Sequence, residues 1–178
     1  MTMASPKRRL ALVVTDDTPT QAGGGTPRPA ATLFEGSFLS AAALGRELLS
    51  TRPTEVLIVS GKHGLVHEAD VIAPYAPSEI SDARLQTAVS SLRDFLASGD
   101  AVPILLLKSQ TVDFLLKLPG LDHPGPVFFV GAESYAEKVR DFFGVRKEGF
   151  HAFRRVGVAR VDAKARREII DRLSQVDA

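Results

Sequence analysis

The chain has 178 residues, 22 Lys and Arg against 21 Asp and Glu, a hydrophobic fraction of 44 % and no cysteine. Its length suits one domain, and the missing cysteine excludes a disulfide scaffold, a thiolate nucleophile and any cysteine-ligated zinc or iron–sulfur centre. No apolar run reaches the roughly 20 residues of a membrane span, and Leu10–Val14 is too short for a signal-peptide core, so a soluble, cytoplasmic protein with no membrane partner is expected.

In chain order, Met1–Arg9 reads as a disordered lead-in to a single α/β domain over residues 10–178. Leu10–Thr15 (LALVVT) is a continuous apolar, β-branched run, the pattern of a strand covered on both faces. Thr15–Pro29, with Gly23-Gly24-Gly25, has the composition of a functional or disordered loop. A helix is predicted from an N-cap at Ser37, with Phe38, Ala41, Ala42, Leu44, Leu48 and Leu49 as its apolar stripe and Pro53 as its stop. Glu55–Ser60 is a second buried strand, and Gly61–Pro77 a loop. Ser81-Asp82 caps a helix in which Leu85, Val89, Leu92, Phe95 and Leu96 recur at helical spacing.

Val102–Leu107 is a third strand, its Pro103 tolerable near a strand start. A helix over Gln110–Leu118 ends at Pro119-Gly120. Val127–Val130 is a fourth strand, followed by Gly131 and a helix over Glu133–Phe143. His151–Val161 reads as a last strand or as irregular, and Ala163–Val176 as a final amphipathic helix with Ile169, Ile170, Leu173 and Val176 facing in. Alternating short strands and helices predict a mostly parallel sheet of four or five strands with helices on both faces. Ligands in such sheets bind beyond the carboxyl ends of strands.

Ser60-Gly61-Lys62-His63-Gly64-Leu65 directly follows a strand. Its glycines, Gly61 and Gly64, permit a sharp turn and close backbone approach to a ligand, while Lys62 and His63 supply a cation and a titratable imidazole. The spacing is neither a Walker A loop nor G-x-G-x-x-G, and the alternative is a tight turn with solvated Lys and His. Downstream, Asp70 or Glu68 could act as a general base or stabilise a cationic transition state. Tyr75 could stack on a base or pack behind Pro74. His63 and His67 are four apart, but Gly64 between them argues against a helical metal pair, so no metal or other cofactor is expected.

Asp16-Asp17 at the end of the first strand could meet a ligand or simply turn the chain. Gly131–Tyr135 repeats the strand–glycine–helix arrangement, and Tyr135 could share a crevice with Tyr75; the alternative is a helix start with Glu133 favourable to the dipole. Arg146–Arg167 carries eight Lys and Arg, among them Arg154, Arg155 and Arg160, against two acids. Phe150, His151 and Phe153 lie among these charges, which suits phosphates and stacked bases, or else a solvated basic face.

Ser60–Leu65 followed by Val71-Ile72-Ala73-Pro74-Tyr75 resembles the signature of a small bacterial and phage domain family that is distantly similar to the peroxide-stress protein YaaA. Pro29–Phe38 resembles that family's lead into its first helix, and Gly131–Tyr135 its later glycine–tyrosine turn, so the likeness runs from Leu10 to Phe143. Members usually carry a polar loop with cysteine and lysine after the first strand, where this chain has Thr15-Asp16-Asp17-Thr18, and His63 stands where tyrosine is common. The resemblance implies an α/β fold, a pocket formed by Ser60–Leu65, Tyr75 and Tyr135, and the handling of nucleobases or nucleic acid.

Three functions follow as expectations. The first is an enzyme acting on a nucleotide, nucleoside or nucleobase, with cleavage or transfer at an N-glycosidic bond. There Lys62 would neutralise phosphate, His63 protonate the leaving base, and Asp70 stabilise an oxocarbenium-like centre or activate water. The ligand would lie among Ser60, Gly61, Gly64, Tyr75, Gly131, Tyr135 and Asp16. The second is a non-catalytic nucleic-acid-binding protein working through Arg154, Arg155 and Arg160, and the third a small-molecule tailoring enzyme with an altered first loop.

Overall fold

The structure is a computed structural model that describes residues 8–19, 21–155 and 161–176. Its first strand, β1 (Ala11–Asp16), is buried along its whole length. The chain then forms a short strand, β2 (Arg28–Pro29), a single helical turn, α1 (Ala30–Leu33), and the helix α2 (Phe38–Leu49), which leads to β3 (Thr54–Ser60). Ser37 precedes α2 as expected, but its side chain makes no capping bond.

The expected loop after Ser60 contains two strands, β4 (Gly64–His67) and β5 (Val71–Ile72). β4 turns straight back on β3, Ser60 pairing with Gly64 and Leu57 with His67, while β5 forms an antiparallel ribbon with β2. The segment therefore begins as a β-hairpin rather than a strand-to-helix turn. Next come α3 (Asp82–Leu96), whose Ser81 hydroxyl accepts the Arg84 N–H at 3.2 Å, then β6 (Val102–Leu106) and α4 (Ser109–Leu116). The chain closes with β7 (Val127–Gly131), α5 (Glu133–Phe143), β8 (Phe150–Arg154) and α6 (Ala163–Val176). Of the expected His151–Val161, the last strand covers His151–Arg154, and residues 156–160, Arg160 among them, lie outside the described residues.

The main sheet has six strands, in the order β4-β3-β1-β6-β7-β8. That is one more than the upper expectation, the addition being the antiparallel edge β4; the other pairings are parallel. Helices cover both faces. α2 and α6 pack on the face bearing Ala11, Val13, Ile58 and Ile104, and α3, α4 and α5 on the face bearing Leu12, Val14, Val59 and Leu105. Leu49, Phe95 and Val176, expected in apolar stripes, are exposed. Among the described residues no helix is long and apolar enough to cross a membrane.

The chain leaves β1 for β3 through α2 on one face and returns past β1 to β6 through α3 on the other. The connections therefore reverse between β1 and β6, and in such sheets the carboxyl ends beside this reversal form a crevice.

At the opposite edge, His123 is buried, with Nδ1 accepting the Gly125 N–H at 2.9 Å and Nε2 3.1 Å from the Ala101 carbonyl. Nδ1 must be unprotonated to accept, so Nε2–H donates to Ala101 and the ring is neutral. Burial holds His123 below its ordinary value of 6.5. Burial, followed by the nearby Arg172 guanidinium, does the same to His151. Both rings bind a proton more readily when unfolded, so their contribution is fully present above pH 6.5 and is lost as the pH falls below it. We predict that the urea midpoint falls between pH 7.5 and pH 5 and that His123→Gln narrows the difference; an unchanged difference in the variant would contradict this assignment.

Candidate functional site

Strand alternation sends Asp16 and Asp17 to opposite faces of the sheet. Asp16 accepts the Lys108 N–H at 2.6 Å and the Thr111 hydroxyl, and so ties down the start of α4. It is 1 % exposed. This corrects its expected ligand-binding role: its carboxylate is committed to its own fold. Asp17, on the other face, accepts the hydroxyl proton of Tyr75.

The Tyr75 hydroxyl also lies 3.2 Å from Ser60 Oγ, which accepts the N–H groups of Lys62 and His63 at 3.2 and 3.1 Å. Tyr75 has one hydroxyl proton and gives it to Asp17, so Ser60 donates to Tyr75. Burial first, and then the Asp17 carboxylate at its hydroxyl, push Tyr75 far above its ordinary range and keep it neutral. The Ser60–Tyr75–Asp17 chain is thus a satisfied structural network in which Ser60, expected to meet a ligand, is fully buried and bonded to its own fold.

The three expected catalytic residues are not assembled. Lys62 Nζ lies 3.4 Å from Glu79 Oε1. The His63 ring stands edge-on to Tyr75, with centroids 5.1 Å apart, and its Nε2 is 3.1 Å from the Ala73 carbonyl. Asp70 is exposed, and its Oδ2 accepts the His67 N–H at 2.8 Å within its own turn. His67 pairs with Leu57, three residues before Ser60, or about 10 Å down the strand. The carboxylate beside Tyr75 is Asp17, not Asp70. Gly61 is there for packing, since a Cβ would come within 2.4 Å of Ile80 Cγ2, and Gly64 turns the hairpin at φ +85. Among the described residues no group of three His, Asp or Glu is placed to hold a metal ion.

Gly131 and Tyr135 lie elsewhere. From the end of β3 to the end of β7 is three strand spacings, about 14 Å, so Tyr135 does not share a crevice with Tyr75. It donates instead to Asp113 Oδ1 at 2.8 Å, and that bond raises it above its ordinary value. Gly131 makes room for the Phe129 ring, which a Cβ would approach within 2.5 Å.

Around Gly131 the structure opens a cleft of about 420 Å³ at the carboxyl edge of the sheet, lined by Ser109, Glu133, Tyr135, Arg154 and Arg155 among others. A neighbouring hollow of about 300 Å³ shares Phe129, Gly131, Ala132, Glu133 and Arg154 with it and is further bounded by Ala136, Ala152 and Phe153. Arg155 is held in place: its guanidinium donates to the Leu107 carbonyl at 2.6 Å and its N–H to the Gly131 carbonyl at 3.3 Å. Arg154, one residue earlier, is exposed.

These two are the expected phosphate-binding arginines, and the cleft brings them together. The aromatics among the basic residues do not form an open stacking face. His151 stacks on Phe128 at 4.7 Å, and Phe153 lies between Phe128 and the Arg172 guanidinium, which is 5.0 Å from its ring. Ser109 and Glu133 are not among the site residues expected from the sequence; each stands in the N-terminal turn of a helix that follows a strand end, which is the signal the sequence carries for them.

No family model matches the chain, and no curated protein matches it.

The buried network carries a prediction of its own. Tyr75→Phe leaves Ser60 without its acceptor and removes a donor from buried Asp17, and it should destabilise the fold by about 1.5–3 kcal/mol. His63→Ala, at a half-buried turn position, should cost less. Urea unfolding of both variants measures this, and equal, small losses would contradict the structural role.

Proposed function

We propose that the protein handles a phosphate-bearing nucleotide, held in the cleft at the carboxyl edge of β7 and β8 rather than in the Ser60–Tyr75 loop. The observation that carries this reading is the pair Arg154 and Arg155 lining one cleft of about 420 Å³. That volume falls within the usual size of small-ligand pockets, roughly 300–1,000 Å³. Arginine is suited to phosphate because its planar fork of donors matches two phosphate oxygens at once. Arg155 is pre-positioned by Leu107, so part of the cost of ordering a long side chain falls on folding rather than on binding.

The reaction class this ligand admits is cleavage or transfer at the N-glycosidic bond. In hydrolysis, water would add its oxygen to C1′ as the C1′–N bond breaks, and the base would leave with a proton. Glu133 is the carboxylate that lines the cleft, and its negative charge beside the sugar would stabilise an oxocarbenium-like centre, the role expected of Asp70. His63 and Lys62 have no part in this version.

Arg154→Ala should weaken binding of nucleoside monophosphates by about tenfold or more, since a hydrogen bond to a charged group contributes about 1.5–3 kcal/mol. His63→Ala should leave it unchanged. Isothermal titration calorimetry against the four common monophosphates measures both. Loss of affinity in His63→Ala with none in Arg154→Ala would return the site to the Ser60 loop. Binding of DNA or RNA that falls steeply with salt, with no affinity for mononucleotides, would favour the nucleic-acid-binding reading instead.

A further inference from the structure

The cleft and its neighbouring hollow differ in chemistry, and the residues they share separate the two. One side carries Arg155 and Ser109. The other is bounded by Ala136, Ala152 and Phe153. Glu133 and Arg154, with Phe129, Gly131 and Ala132, border both. A nucleotide has the same order of parts: a charged phosphate, a sugar with hydroxyl groups, and a flat base whose faces are apolar. Placing the phosphate on the arginine side and the base on the apolar side leaves the sugar at the shared boundary, beside Glu133.

We propose that Glu133 is a specificity-determining residue that accepts hydrogen bonds from the 2′- and 3′-hydroxyls of a ribonucleoside 5′-monophosphate. This rests on the nucleotide reading above and narrows it. Two oxygens of one carboxylate suit two adjacent hydroxyl donors, as acidic residues do when they bind ribose in other doubly wound sheets. Charge sets the phosphate count. A diphosphate would bring a second phosphate's negative charge close to the Glu133 carboxylate, whereas a monophosphate keeps its charge at the arginine end of the cleft.

Glu133 forms no ion pair within 4 Å among those the structure gives for the described residues, and its neighbour Ala132 supplies no competing side chain. Asp113, the other acid nearby, is occupied by the Tyr135 hydroxyl. Glu133 is therefore the carboxylate at the boundary with its oxygens open to a sugar.

The test is calorimetric binding of AMP, CMP, GMP and UMP, of their 2′-deoxy counterparts, and of the corresponding diphosphates and phosphate-free nucleosides, to the full chain and to Glu133→Gln. The best ribonucleoside monophosphate should bind at least fivefold more tightly than its 2′-deoxy form and than its diphosphate. Glu133→Gln should reduce the ribose preference to less than twofold while affinity still depends on the phosphate. Circular dichroism of the variant checks that it is folded; this exposed first-turn residue is expected to tolerate the change.

Monophosphates that bind with equal affinity in ribose and deoxyribose form overturn the inference and leave the nucleotide reading standing. So does a ribose preference that survives Glu133→Gln, or tighter binding of diphosphates. If no nucleotide in the panel binds, the nucleotide reading falls, and this inference with it.

Discussion

The structure turns on two adjacent carboxylates. Asp16 and Asp17 end the central strand at the place where the sheet's connections reverse direction, and the alternation of an extended chain points them to opposite faces. One holds the start of α4 through the Lys108 N–H and the Thr111 hydroxyl. The other takes the Tyr75 hydroxyl and, through it, Ser60 and the β3–β4 hairpin. Buried carboxylates are tolerated only when hydrogen-bonded, and here their bonds fasten both layers of helix and loop to the same strand end. The consequence is functional as well as structural. The crevice at the reversal, where such sheets usually take a ligand, is occupied by the protein's own negative groups and is a poor place for an anion.

The positive charge lies two strands further along. Arg155 follows β8 and reaches the Leu107 carbonyl just after β6, while its N–H meets Gly131 at the end of β7. Three strand ends are thereby joined by one residue, and its neighbour Arg154 is carried to the rim of the cleft. Lys62, the cation that the hairpin motif offered, lies 3.4 Å from Glu79. The cleft that Arg154 and Arg155 line, rather than the density of polar residues in the sequence, locates the candidate site.

Most of the architecture was legible in the sequence because it depends on local pattern. Buried parallel strands are continuous apolar runs, and β1, β3, β6 and β7 all show one. The amphipathic helices kept their spacing, with errors such as Leu49 and Phe95 where the helix rotates its end residues into solvent. β4 and β5 were hidden because both are short: β4 is an edge strand of mixed polarity whose register on β3 starts at the Ser60–Gly64 pair, and β5 is two residues that pair with β2. The site was only half legible. Arg154 and Arg155 announced themselves by charge, and Gly131 by its place after a strand. The grouping of His63, Lys62 and Asp70 failed because proximity in sequence is not proximity in a hairpin: β4 carries Asp70 back along β3, away from His63. Glu133 was visible, but a glutamate in a first helical turn has a sufficient structural explanation in the helix dipole, and only the cavity beside it gives it a second.

The central claim is that the ligand is held by the β7–β8 edge and not by the Ser60 hairpin, and amide NMR during titration with ribonucleoside monophosphates tests it residue by residue. The account predicts saturable shifts at Gly131, Ala132, Arg154 and Arg155, with Gly61, Lys62 and His63 unmoved. Shifts centred on Gly61–His63 and Tyr75, with Gly131 and Arg155 unchanged, would contradict it.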